Sequence, residues 1–100
     1  VSGSAPAYFF YFIESVIQGG IDLGLSQEQA SALAMQTALG AAKMSIHSDD
    51  TPEQLRRKVM SPGGTTEAAV HSLQADKVNE LIGKAMQACV KRSREMSGQN

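Results

Sequence analysis

Tryptophan is absent from this chain, cysteine occurs once and proline three times. The lone Cys89 excludes an internal disulfide and is compatible with a reducing cytoplasm. Charge is sparse and nearly balanced, with a net value of −1. There is no basic field to attract nucleic acid. No apolar run approaches the roughly 20 residues of a membrane span. The apolar stretch from Ala5 to Ile13 has no basic region before it and Glu14 after it, so it does not read as a signal peptide. Familiar catalytic machinery is missing too. No strand leads into a GxGxxG turn, and Gly19-Gly20 follows no strand. His47 and His71 have no cysteine or carboxylate at a metal spacing and read as solvent-facing, so no metal is expected. Asp49-Asp50 reads as a polar loop. Ser2 and Ser4 lack a histidine–acid partner for nucleophilic catalysis.

What the chain does have is helix punctuation. Ser4 is placed to cap a first helix, with Pro6 tolerated in its first turn, and Gly19-Gly20 reads as its stop. Ser26 and Gln29 form a capping box for a long second helix reaching about His47. Thr51, Pro52 and Gln54 repeat the signal for a short third helix ending near Met60. A fourth runs from Thr66 to about Gln74. Asp76 is placed to cap a fifth that ends near Met96. No segment alternates apolar and polar residues as a surface strand does. The chain therefore reads as all-α, a single five-helix, bundle-like domain over residues 1–100.

The faces of these helices predict company. All five aromatic residues are consecutive, Tyr8-Phe9-Phe10-Tyr11-Phe12. On a helix they point in every direction, at about 100° steps. A domain of this size cannot easily cover such a helix alone, so burial against a partner subunit is expected. The central helix of a monomeric bundle is the other reading. The second helix is rich in alanine. Gly40 costs roughly 1 kcal/mol relative to Ala inside a helix, and a close helix crossing would explain it. The fifth helix gathers Val78, Leu81, Ile82, Ala85, Met86 and Cys89 on one stripe. Cys89 therefore reads as a small core residue rather than a nucleophile. Lys91, Arg92 and Arg94 sit in the last turns, where cations favour the helix dipole and need no ligand.

The most informative segment is Ser61-Pro62-Gly63-Gly64-Thr65-Thr66. Pro62 stiffens its entry. Gly63 and Gly64 permit positive φ and close approach of a ligand to the main chain. Thr65 or Thr66 can cap the helix that follows. Its first turn presents unpaired N–H groups and the positive end of a dipole, an arrangement suited to a small anion such as a carboxylate. A phosphate chain would call for a lysine, as in GxxxxGK[ST], and none stands there. A plain turn with an N-cap is the alternative.

The run Val59-Met60-Ser61-Pro62-Gly63-Gly64-Thr65-Thr66 resembles a signature of the pyrroline-5-carboxylate reductases, the last enzymes of proline biosynthesis. Ser2 to Tyr8, Gly19 to Leu25, Gln36 to Met44 and Arg92 to Glu95 resemble further segments of that family, in order and spacing. The likeness covers nearly the whole chain, from Ser2 to Met96. It implies the C-terminal helical domain of such an enzyme, interlocked with a second copy in a homodimer, with assemblies of dimers left open. An excised domain would also open on Val1 rather than Met. By the same resemblance, backbone N–H groups around Ser61, Gly63, Gly64 and Thr65 hold the carboxylate of 1-pyrroline-5-carboxylate. The Thr66 hydroxyl bonds the ring nitrogen and is the catalytic candidate. The resemblance also implies that NADPH or NADH is bound mainly by an N-terminal Rossmann domain outside this segment and reaches the ring from there, the domain of the other subunit being the expected one. A cytoplasmic location is implied.

Some positions depart from the family pattern. Met60 replaces a Thr or Ser, Ala5 a Gly, and Ala75-Asp76-Lys77 a glycine-rich turn. Glu67 follows Thr66 where Ile is frequent, and its carboxylate would weaken anion binding unless it points to solvent. Two other functions fit the helices: a non-catalytic oligomerisation module, and a related imine or hydroxy-acid reductase. An interaction-only module has no need of Gly63, Gly64 and Thr66 together.

Overall fold

The computed structural model describes residues 3–98. Val1, Ser2, Gln99 and Asn100 lie outside them. Five α-helices follow one another: α1 (Ala5–Asp22), α2 (Gln27–His47), α3 (Pro52–Lys58), α4 (Thr65–Ala75) and α5 (Val78–Met96). No strand occurs among the described residues. The all-α reading holds, and four of the five helix ends fall within about two residues of their sequence signals, the usual uncertainty of a helix boundary. The chain divides near residue 52 into two compact units, one carrying α1 and α2, the other α3, α4 and α5.

In the first unit, α1 begins at Ser4, but the Ser4 side chain makes no capping bond. The reason is local. Pro6 has no N–H to offer, and the N–H of Ala7 donates to the Ser4 carbonyl at 2.9 Å. Nor does α1 stop at Gly19-Gly20. It runs on to Asp22 and ends in a Schellman motif. There the Leu25 N–H donates to the Gly20 carbonyl and the Gly24 N–H to the Ile21 carbonyl, both at 3.0 Å. Gly24 takes φ 109°, the left-handed value that motif requires. Gly20 serves packing instead. A Cβ there would lie 3.2 Å from the Ala30 Cβ, so its absence lets α1 and α2 close on each other.

The capping box of α2 forms as expected. The Gln29 N–H donates to Ser26 Oγ at 3.1 Å, and the Ser26 N–H donates to Gln29 Oε1 at 3.0 Å. Ala30 and Ala34, 3% and 4% exposed, are the buried apolar residues among those described. The aromatic face of α1 finds no such cover: Phe9, Phe10, Tyr11 and Phe12 remain 56% to 70% exposed. Gly40 has no atom within 4 Å of where its Cβ would be, so the close crossing expected there is not made within this chain.

In the second unit, α3 starts with Pro52 at its first position. An i,i+4 ion pair between Arg57 and Glu53, at 2.9 Å, runs along it. Such an exposed pair contributes about 0.3–0.5 kcal/mol. Asp76 does not cap α5. It ends α4, its N–H donating to the Ser72 carbonyl at 3.3 Å. The residue before α5 is Lys77, at φ 56° and ψ 45°, with no side-chain cap. The two-residue link leaves no room for an Asp in extended conformation, which a capping carboxylate needs. α5 has no buried residue. Leu81 and Ile82 are exposed and Cys89 is half-buried, so the expected core stripe is not covered within the chain.

Candidate functional site

Residues 61–66 form a turn feeding directly into α4. The Gly64 N–H donates to the Ser61 carbonyl at 2.9 Å, closing a four-residue turn. Pro62 is second and Gly63, at φ 72°, is third, the residue pattern of a type II turn. Gly64 is needed for a different reason. Its own φ of −88° is ordinary, and it is the N-cap of α4. A Cβ there would stand 3.0 Å from the Ser61 carbonyl oxygen. Thus Gly63 supplies a left-handed backbone and Gly64 supplies space.

Neither threonine caps the helix. Gly64 holds that position and has no side chain to give. Thr65 and Thr66 are instead the first two residues of α4. The first bond of the helix runs from the Ala68 N–H to the Gly64 carbonyl, at 3.2 Å. The N–H groups of Thr65, Thr66 and Glu67 therefore lie ahead of the ladder, and none has a partner among the described residues. The Thr66 hydroxyl is likewise unbonded among them, and both threonines are exposed. Of the five site candidates, Gly64 already spends its N–H on the turn. The open donors cluster at Thr65, Thr66 and Glu67.

Glu67 is the departure with consequence. Its side chain folds back over the turn, and the Gly63 N–H donates to its Oε1 at 3.0 Å. It is half-buried rather than turned to solvent. Glu67 also lines an open cleft of about 360 Å³ with Arg56, Arg57 and Met60 of α3 and His71 and Gln74 of α4. Sequence reasoning missed that cleft. The signal was present, since Glu67, His71 and Gln74 recur at i, i+4 and i+7, one face of a helix. His47 and His71 are both exposed. No group of three or more possible metal ligands occurs among the described residues. No helix of the described residues is long and apolar enough to cross a membrane.

The described residues form an all-helical scaffold with apolar faces left open and a glycine turn that presents main-chain donors, the form of a helical domain that packs against a partner. The family is shown by comparison: residues 1–96 match the family described as pyrroline-5-carboxylate reductase dimerisation, and the chain belongs to it. A pyrroline-5-carboxylate reductase of Pseudomonas aeruginosa is 50% identical over 99% of this chain and 36% of its own length. The Arabidopsis thaliana enzyme is 46% identical over 97% of this chain and 35% of its own. Among solved structures, a Plasmodium falciparum pyrroline carboxylate reductase with NADP bound matches with a TM-score of 0.92 and 36% identity, covering 96% of this chain and 37% of that one. A Coxiella burnetii pyrroline-5-carboxylate reductase gives 0.91 and 44%, covering 95% and 35%. This chain thus spans about a third of the length of the relatives it matches.

Proposed function

We propose that this chain is the dimerisation and substrate-loop domain of a pyrroline-5-carboxylate reductase, an enzyme reducing 1-pyrroline-5-carboxylate to L-proline in the cytoplasm. The observation that carries the reading is the turn at 61–64 running into α4 with the donors of Thr65, Thr66 and Glu67 open. Main-chain N–H groups around Ser61, Gly63, Gly64 and Thr65 hold the substrate carboxylate, with the Gly64 N–H kept by the Ser61 carbonyl to close the turn and so fix the directions of the others. The Thr66 hydroxyl, free and exposed, bonds the ring nitrogen, where the proton arrives as the C=N bond is reduced. Both roles are orientation and electrostatics.

The described residues contain no strand and so no strand–turn–helix cradle for a dinucleotide. These residues do not fit the nicotinamide cofactor, and its site belongs to a Rossmann domain elsewhere in the protein. NADPH or NADH bound there supplies the hydride. The open face of α1 and the uncovered stripe of α5 are the surfaces for a second copy, giving a homodimer with more than about 2,000 Å² buried in total, as obligate interfaces have.

The test uses the full-length protein that contains this chain. It should sediment as a dimer or an assembly of dimers and reduce 1-pyrroline-5-carboxylate with a reduced nicotinamide cofactor. A stable monomer at micromolar concentration would overturn the partner surface. A dimer with no reduction of this substrate would leave the oligomerisation module as the better reading.

A further inference from the structure

The loop that we assign to a substrate carboxylate already holds a carboxylate. Glu67 Oε1 accepts from the Gly63 N–H at 3.0 Å. This is not the ordinary capping box, in which the third helical residue reaches the N–H of the N-cap. The N-cap here is Gly64, and its N–H is used by the Ser61 carbonyl. Glu67 reaches one residue further back, to a donor on the outer curve of the turn.

We infer that Glu67 sets the carboxylate affinity of the loop by acting as an internal stand-in for the substrate's own carboxylate. The inference rests on the substrate reading above. Two carboxylates cannot share one N–H, and side by side they repel. The substrate therefore enters against Glu67, which leaves Gly63. The structure offers it a destination. Glu67 stands on the wall of the cleft that also holds Arg56 and His71. Arg57 is engaged by Glu53 at 2.9 Å, whereas the Arg56 guanidinium touches the weak acceptor Sδ of Met60 at 3.5 Å. Arg56 can trade that contact for a carboxylate at little cost. In an empty loop the Gly63 donor is thus satisfied by Glu67, and an occupied one transfers Glu67 to Arg56.

The inference makes Glu67 a determinant of KM and not of kcat. Glu67→Gln and Glu67→Ala, each in the full-length enzyme, should lower KM for 1-pyrroline-5-carboxylate by roughly 2- to 5-fold, the scale of a part-exposed charged contact. kcat should stay within about twofold. KM for 1-pyrroline, which has no carboxylate, should not move. Arg56→Ala should raise KM for the carboxylate substrate. An unchanged or higher KM in both Glu67 variants, or an equal fall for 1-pyrroline, overturns the inference, and a lowered melting temperature alone would make Glu67 a brace of the turn. If the native enzyme fails to reduce 1-pyrroline-5-carboxylate, the underlying substrate reading falls first. An active native enzyme with unmoved KM values overturns this inference alone.

Discussion

The starts of α2 and α4 meet the same physical demand in opposite ways. Every helix begins with N–H groups that its own ladder cannot satisfy. At α2, Ser26 and Gln29 exchange side-chain and main-chain bonds, and the Gln29 donor is satisfied by a side-chain cap. At α4, the N-cap is Gly64, and the donors of Thr65, Thr66 and Glu67 stay open. A capped start contributes stability. An open start is less stable by itself but keeps donors and a dipole for something that arrives. The glycines sharpen the contrast. Gly20, beside the start of α2, is used to bring two helices together, while Gly63 and Gly64 shape a turn that carries no helix contact of that kind.

Giving α4 the cap that α2 has is the most direct way to break the comparison. Gly64→Ser adds a hydroxyl able to accept from the first-turn donors and a Cβ 3.0 Å from the Ser61 carbonyl oxygen. The hydroxyl competes for the donors proposed to hold the substrate, and the Cβ pushes the turn open. kcat/KM of the full-length enzyme should fall by roughly 10- to 100-fold, as expected when substrate-holding groups shift by up to about 1 Å. Steady-state kinetics on the folded dimer decides it. Unaltered kcat/KM would mean that the open start of α4 holds no substrate.

Thr66 gives the next largest effect. Because Gly64 is the N-cap, Thr66→Ala removes no cap and should leave the melting temperature unchanged. kcat/KM should fall by about 2- to 13-fold, the worth of one neutral hydrogen bond, and by more if that bond helps protonate the ring. Thr66→Ser should keep most of the activity. A variant with normal kinetics would reduce Thr66 to an exposed helix residue. The mirror experiment is Ser26→Ala at α2. It should lower stability by about 1 kcal/mol and leave kcat/KM of the folded enzyme where it was. Thermal unfolding and kinetics measured on both variants should therefore give opposite patterns.

Local chemistry was legible in the sequence and distant contacts were not. Ser26 and Gln29 are three residues apart, so their box could be read directly, as could Pro52 at the start of α3. The glycine turn was legible for the same reason, since Pro62, Gly63 and Gly64 constrain their own backbone. Gly19-Gly20 was misread as a stop because the role of Gly20 depends on Ala30, in another helix. Gly40 and the α5 stripe read as packing surfaces, and among the described residues nothing lies against Gly40 and the stripe is at most half-buried. Their partner is not encoded in local spacing. Glu67 was the hardest position. A side chain at the third helical residue can turn outward or fold back, and only the coordinates show it folding back onto Gly63.

The start of α5 completes the comparison and yields the smallest effect. It has no side-chain cap. Lys77 holds the left-handed conformation, φ 56° and ψ 45°, in the turn after α4. Its carbonyl accepts from the Glu80 N–H at 2.9 Å and the Leu81 N–H at 3.2 Å, so the strained backbone begins the helix. For a residue with a Cβ that conformation costs about 1–2 kcal/mol. Glycine avoids the cost but loses about 0.5–1 kcal/mol of unfolded-chain entropy on folding. Lys77→Gly should therefore raise stability by a net of between zero and about 1.5 kcal/mol, or up to several degrees in melting temperature. Lys77→Asn should gain less, because its short polar side chain only partly relieves the strain. kcat/KM should be unchanged in both, since Lys77 lies at the far end of α4 from the glycine turn. A destabilised glycine variant would show that the lysine side chain makes contacts worth more than its backbone strain.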